Sequence, residues 1–113
     1  MEPGVQHVFE AIVAELVKLC PWMTEEDVGL WREVLLCHFR LVALEEVDLL
    51  SMARALLALA EHARAVGDAR RAWAFEQWYA WACSSMRGEE YHWPELPHEL
   101  ERCPDALGVG GGW

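Results

Sequence analysis

Apolar residues return every three or four positions through most of this chain, the rhythm of an amphipathic helix. From Val5 to Cys20 they form one stripe: Val5, Val8, Phe9, Ile12, Leu16, Leu19 and Cys20, widened by Val13 and Val17. Glu10, Glu15 and Lys18 lie away from its centre. Pro21 ends this helix, because the residue before a proline is pushed out of the α region. Thr24 opens a second helix. Thr24-Glu25-Glu26-Asp27 reads as a capping box with Asp in place of the usual Glu, and Met23 and Val28 are placed as its hydrophobic staple. Val28, Trp31, Leu35, His38, Phe39 and Val42 mark the face that this helix buries.

Between Ala43 and Val47 the pattern loses its phase without a Gly or Pro to mark a break. A single helix continuing to Val66 would be about 65 Å long at ~1.5 Å per residue, too long for a small compact domain. A break or sharp bend is therefore expected near Leu44 to Asp48, with Asp48 as the cap of a third helix. That helix carries Leu49, Met52, Ala53, Leu56, Ala60 and Ala63 on one face, and Gly67 fits its C-terminal left-handed position. Asp68 follows as the N-cap of a fourth helix, so helices three and four form an antiparallel hairpin. The fourth helix fades at Ser84-Ser85, and Gly88 stops it.

The fourth helix is the aromatic one. Trp73, Phe75, Trp78, Tyr79 and Trp81 lie within nine residues. At about 100° per residue these rings spread over too much of the circumference for one face. They predict a central helix packed on two or three sides. One side remains as a candidate contact surface: Arg70, Arg71, Trp78 and Tyr79, since Trp, Tyr and Arg dominate binding hot spots.

Composition sharpens this picture. The chain has 113 residues, 54% of them hydrophobic, and a net charge of −10. That is enough length and apolar content for one buried core. No apolar run reaches the ~18 residues of a membrane span. The N-terminus has no basic region ahead of an apolar stretch, so a cytoplasmic protein is expected. Cys20, Cys37 and Cys83 sit in apolar helical contexts and read as small buried hydrophobes. Cys103 lies in a polar segment. None is spaced for a zinc site, and disulfides are not expected.

The charge is unevenly placed. Beyond Gly88 the composition shifts to prolines and acids, ending in a Gly-rich run. Glu89, Glu90, Glu95, Glu99, Glu101 and Asp105 face the single Arg102 there. The expected organisation is a helical bundle over residues 1–88 and an acidic tail over 89–113. Pro97 to Cys103 is a candidate short helix with proline at its first position, and the glycine-rich end is expected to be disordered. The aromatic helix trends positive through Arg70, Arg71 and Arg87, so a tail folded back onto it makes charge sense.

Candidate chemistry is sparse. Glu89-x-x-His92 and Glu95-x-x-His98 are two ExxH pairs followed by Cys103. Pro94 and Pro97 disfavour the regular helix such pairs need to share a face, so no metal or cofactor is expected. No phosphate-binding, dinucleotide, serine-hydrolase or zinc-protease motif is present. His62 beside Glu61, and His7 near Glu10, read as helix-surface pairs.

Two partial resemblances arise from these residues. Leu56, Leu59, Ala60, Ala63 and Ala72, with the Gly67-Asp68 turn, fall at the spacing of a tetratricopeptide repeat. The match departs from that pattern at Glu76 and Ser84 and has no second copy, so it implies hairpin geometry. Arg32-x5-His38 resembles the Arg/His motif of HEPN-type ribonucleases, small helical proteins that often dimerise. The resemblance implies Arg32 and His38 as catalytic residues at a dimer cleft. The residues by themselves read as a surface arginine and a half-buried histidine, and no basic groove accompanies them.

The fold expected is all-α: a compact bundle of four main helices with a proline-containing acidic tail. The function expected is non-enzymatic. An acidic chain repels nucleic acid and anionic lipid, so neither is expected as a direct partner. A protein with a basic surface is, bound by an adaptor or inhibitor. One form of this is an acidic protein that covers another's nucleic-acid-binding surface, as small phage-encoded inhibitors do. The residues expected to make the contact are Arg70, Arg71, Trp78 and Tyr79 on the aromatic helix, and Glu89, Glu90, Glu95, Glu99 and Glu101 in the tail. The alternatives are a structural subunit that buries its aromatics in a homodimer or larger assembly, and a HEPN-like ribonuclease.

Overall fold

The computed structural model describes residues 3–101. It contains four long helices, α1 (Pro3–Leu19), α2 (Glu25–Val42), α3 (Leu49–Ala65) and α4 (Ala69–Met86), and a single-turn α5 (His98–Glu101). The Gly-rich end, Cys103 and Asp105 lie outside the described residues. Consecutive helices pack on one another, α3 and α4 most extensively. α4 also reaches α2, where Phe75 meets Trp31 with ring centroids 6.0 Å apart. The core is a single cluster. Phe9, Val13 and Leu16 enter it from α1, Trp31, Val34 and Leu35 from α2, Met52, Leu56 and Leu59 from α3, and Phe75 from α4.

The caps explain where each helix starts and stops. Thr24 forms the reciprocal box with Asp27: Asp27 N donates to Thr24 Oγ1 at 3.2 Å, and Thr24 N donates to Asp27 Oδ2 at 2.9 Å. Asp48 accepts from Leu50 N, Ser51 N and the Ser51 hydroxyl, and the hydroxyl bond is the main cause of a carboxyl held below its ordinary value. α3 and α4 both end with a glycine at positive φ, Gly67 at +84° and Gly88 at +69°. In each case the crossed pair of backbone bonds of a Schellman end closes the helix: Asp68 N to Ala63 O and Gly67 N to Arg64 O; Glu89 N to Ser84 O and Gly88 N to Ser85 O.

The break between α2 and α3 has the same construction with the wrong residue in it. Glu45 N donates to Arg40 O at 2.8 Å and Leu44 N to Leu41 O at 3.0 Å. The left-handed position is Leu44, at φ +59°. Its side chain is 93% exposed, so no packing compensates the strain of a Cβ in that region. Arg40 and Glu45 add an ion pair across the turn.

Three expectations about faces need correction. α1 is rotated so that Val13 is central, while Val5 and Val8 are exposed. α2 buries Val34 and Cys37 and leaves Val42 exposed, because the chain turns away at Leu44 before Val42 can be covered. α4 is central through Phe75, Ala72, Ala74 and Ala82, and its three tryptophans and Tyr79 are only half-buried. Alanines are buried on both α3 and α4, whose contact is the most extensive in the bundle.

His62 and Glu10 also differ from the surface pairs expected of them. His62 Nδ1 lies 2.6 Å from Asp27 Oδ2, joining the end of α3 to the start of α2. Glu10 takes Gln6 and Arg32 as its partners. Asp68, itself buried, accepts from Arg71 N through Oδ1 and from the Trp22 indole N–H through Oδ2.

Two stability measurements follow. Leu44→Gly relieves about 1–2 kcal/mol of left-handed strain against about 0.5–1 kcal/mol for glycine's freedom in the unfolded chain. A net gain of about 0.5–1 kcal/mol is expected, read as a higher urea midpoint at unchanged slope; a lower midpoint would refute it. Asp68→Ala removes a helix cap and the acceptor of a half-buried indole N–H, at about 1 kcal/mol each. A loss of about 2 kcal/mol is expected by the same titration, and Asp68→Asn should lose less.

Candidate functional site

The segment after Gly88 returns across the second half of α4. Arg87 Nε holds Glu89 Oε2 at 3.1 Å, directing the chain out of the helix end. The Tyr91 hydroxyl then hydrogen-bonds Gln77 Oε1. Trp93 sets its ring against Trp78 at 5.3 Å between centroids and 71° between planes, and Tyr91 packs edge-to-face with Trp93 at 5.1 Å. The expected fold-back is present, carried mainly by rings and one hydroxyl.

Trp78 is the centre of a longer seam. It meets Trp81 one turn on at 5.7 Å, and His38 of α2 at 5.7 Å and 88°. His38 leads through Phe39 to Phe9 of α1. Edge-to-face pairs of this kind add about 0.5–1.5 kcal/mol each beyond area burial. The seam thus ties the tail to α4, α2 and α1. Beside it is a half-open apolar pocket of about 270 Å³ lined by Ile12, Trp31, Val34, Leu35, His38 and Trp78.

The expected contact residues separate into three groups. Arg71 is 3% exposed, so its guanidinium is not on the surface; nothing in the local spacing distinguished it from Arg70, which is half-buried with its Nε out of water. Trp78 and Tyr79 pack against the core cluster. A hydrogen bond with Cys83, one turn on, pushes the Tyr79 hydroxyl above its ordinary value. Glu89, Glu90, Glu95, Glu99 and Glu101 are all exposed. Glu89 pairs with Arg87 and Glu101 with His98. Glu90, Glu95 and Glu99 form no ion pair among the described residues.

Trp93 was not singled out by its sequence. It is 50% exposed, alone among the large aromatics in showing that much surface within the described residues. A tryptophan beside a proline in a polar tail, two residues from a tyrosine, was the available signal.

Arg32 and His38 have distinct settings. Both terminal nitrogens of Arg32 bind the Glu10 carboxylate, at 2.6 and 2.8 Å, and the guanidinium lies 5.9 Å from the Phe9 ring centre. That hydrogen bonding lowers the Glu10 pKa and raises that of Arg32. His38 faces the Trp78 ring, and its Nδ1 is buried without a hydrogen-bond partner. Burial, ahead of the Glu33 charge, pushes the Cys37 thiol up and holds it protonated at neutral pH. Among the described residues no three His, Cys, Asp or Glu side chains gather at metal-ligating distance. No described helix is long and apolar enough to cross a membrane.

No protein-family model matches this chain, and no curated protein or solved structure is detectably similar to it.

The Glu10–Arg32 pair makes a pH-dependent prediction. Because the Glu10 carboxyl is held below 4.5 in the folded state, the pair's stabilisation is complete above the unfolded value. It is lost as pH falls through the lower folded value. Glu10→Gln should therefore be less stable than the parent at pH 7, with the gap closing in acid. Urea titrations at pH 7, 4 and 3 check this; a gap that stays constant would show that the carboxylate charge is not responsible.

Proposed function

We propose that this chain is a small acidic interaction protein that binds a basic protein surface, as an adaptor or inhibitor. The observation that supports this most is the setting of Trp93. Its ring is half in water, yet it packs edge-to-face with both Trp78 and Tyr91. An anchor held in place before binding loses little side-chain freedom on association, and tryptophan is the residue most enriched at binding hot spots.

The surrounding charges suit the same partner. Lys18, Arg32, Arg40, Arg64 and Arg87 are each matched by a carboxylate of this chain. Glu90, Glu95 and Glu99 flank Trp93 in sequence and are exposed. The negative field is therefore strong on the segment that carries the anchor. Such a field steers a basic partner toward contact and fixes its orientation, while the buried part of the ring supplies short-range affinity. If the partner's basic surface is one that otherwise holds nucleic acid, occupation by this segment would exclude the nucleic acid.

The test begins with affinity purification from the native host, followed by identification of the retained protein and measurement of its Kd. Trp93→Ala should weaken binding by about 30-fold, the size of a hot-spot loss. Glu90→Gln, Glu95→Gln and Glu99→Gln together should slow association and flatten its dependence on salt. A partner whose affinity is indifferent to salt and to Trp93→Ala would overturn this reading.

A further inference from the structure

The outer side of the α2–α3 pair carries an open groove of about 390 Å³, with Glu26, Gly29 and Glu33 of α2 on one wall and Ser51, Arg54 and Ala55 of α3 on the other. The two helices run antiparallel, since Asp27 near the start of α2 meets His62 near the end of α3. Lys18, Arg32, Arg40, Arg64 and Arg87 each pair with a carboxylate of this chain. Glu26, Glu33 and Arg54 are exposed and form no ion pair among the described residues. Gly29 sits in the middle of α2, where glycine is less stable than alanine. The place of its missing Cβ is open space, so no packing within the chain requires a glycine there. Exposed leucines border the groove. Leu36 lies one turn after Glu33, and Leu50 and Leu57 lie one turn to either side of Arg54 on the helix surface.

A face with an acidic wall and a basic wall fits a partner whose charges are arranged in reverse. A second copy of this chain has that arrangement when a two-fold axis runs along the groove. In such a pair residue i meets residue j, and j meets i. With the axis parallel to the helices, α2 of one copy lies over α3 of the other at the same height. Glu33 then meets Arg54 of the second copy, and the contact occurs twice. Gly29 lets the opposing helix come close to the α2 backbone, and the leucines are covered. An axis across the helices would instead set α2 on α2 and bring Glu26 against Glu33, like charges that repel. The net charge of −10 on each chain opposes self-association. At physiological salt, however, exposed charges more than about 8 Å apart are largely screened, whereas pairs in contact are not. We propose that the α2–α3 groove is the interface of a two-fold homodimer, held by reciprocal Glu33–Arg54 pairs. This face includes neither Trp93 nor the acidic tail, so the proposal stands whether or not the chain binds a basic partner.

The test is the mass of the full chain in solution, followed by sedimentation equilibrium at about 0.15 M salt. The parent should pass from one chain to two with a Kd below about 100 μM. Glu33→Arg and Arg54→Glu each put two like-charge contacts into the dimer and should each weaken it by about 100-fold or more. An equimolar mixture of the two variants should dimerise with an affinity near the parent's, because every contact in the mixed pair again joins opposite charges. Rescue by mixing separate chains excludes a pair formed within one chain and a folding defect. Gly29→Gln, which replaces the glycine with a better helix former and fills the groove, should raise the urea midpoint of the monomer and still block dimerisation. A parent that remains a single chain up to about 1 mM would overturn the proposal. So would dimers that survive either charge reversal or Gly29→Gln, or a mixture that stays monomeric.

Discussion

Asp68 ties the first half of this structure to the α3–α4 hairpin. Its backbone closes the end of α3 through the bond to Ala63, its Oδ1 caps α4, and its Oδ2 takes the indole N–H of Trp22 from the α1–α2 connection. One buried residue thereby sets the turn of the α3–α4 hairpin and fixes where the first half of the chain meets it. Next to it, Asp27 does a similar task for α2, capping its first turn and receiving His62 from α3. Trp22 joins these two points by setting its ring edge-on to His62. The interhelical angles at this end follow from satisfied polar groups, which leave little tolerance for sliding.

Around Trp78 the molecule is organised by rings. Alanines on α3 and α4 suit their close approach, Phe75 fills the core, and Trp73, Trp78, Tyr79 and Trp81 of α4 are left half-buried. Trp78 meets His38 of α2 and Trp93 of the tail. Trp93 is left half-exposed there.

Much of this was legible in the order of residues. The helices follow from apolar spacing, and their ends follow from Thr24, Asp48, Gly67, Asp68 and Gly88, each a local signal with a local cause. The break after α2 was inferable only from length, because Leu44 occupies a position that normally holds glycine and so sends no turn signal. Val5, Val8 and Val42 were misplaced because a broad apolar stripe has no unique centre until a neighbour chooses one. Arg71 and Arg70 are adjacent and chemically identical, yet one is buried.

What the chain by itself determined is therefore the set of helices, their caps and the strongly acidic character of the segment after Gly88. These depend on interactions within a few residues of sequence, where identity and spacing suffice. Tertiary structure decided the rest: which side of α1 is covered, that Trp22 reaches Asp68 across 46 positions, and that Trp93 rests on Trp78. Those pairings arise between segments distant in sequence. Their geometry depends on how closely two helices can approach, and no local pattern encodes that distance.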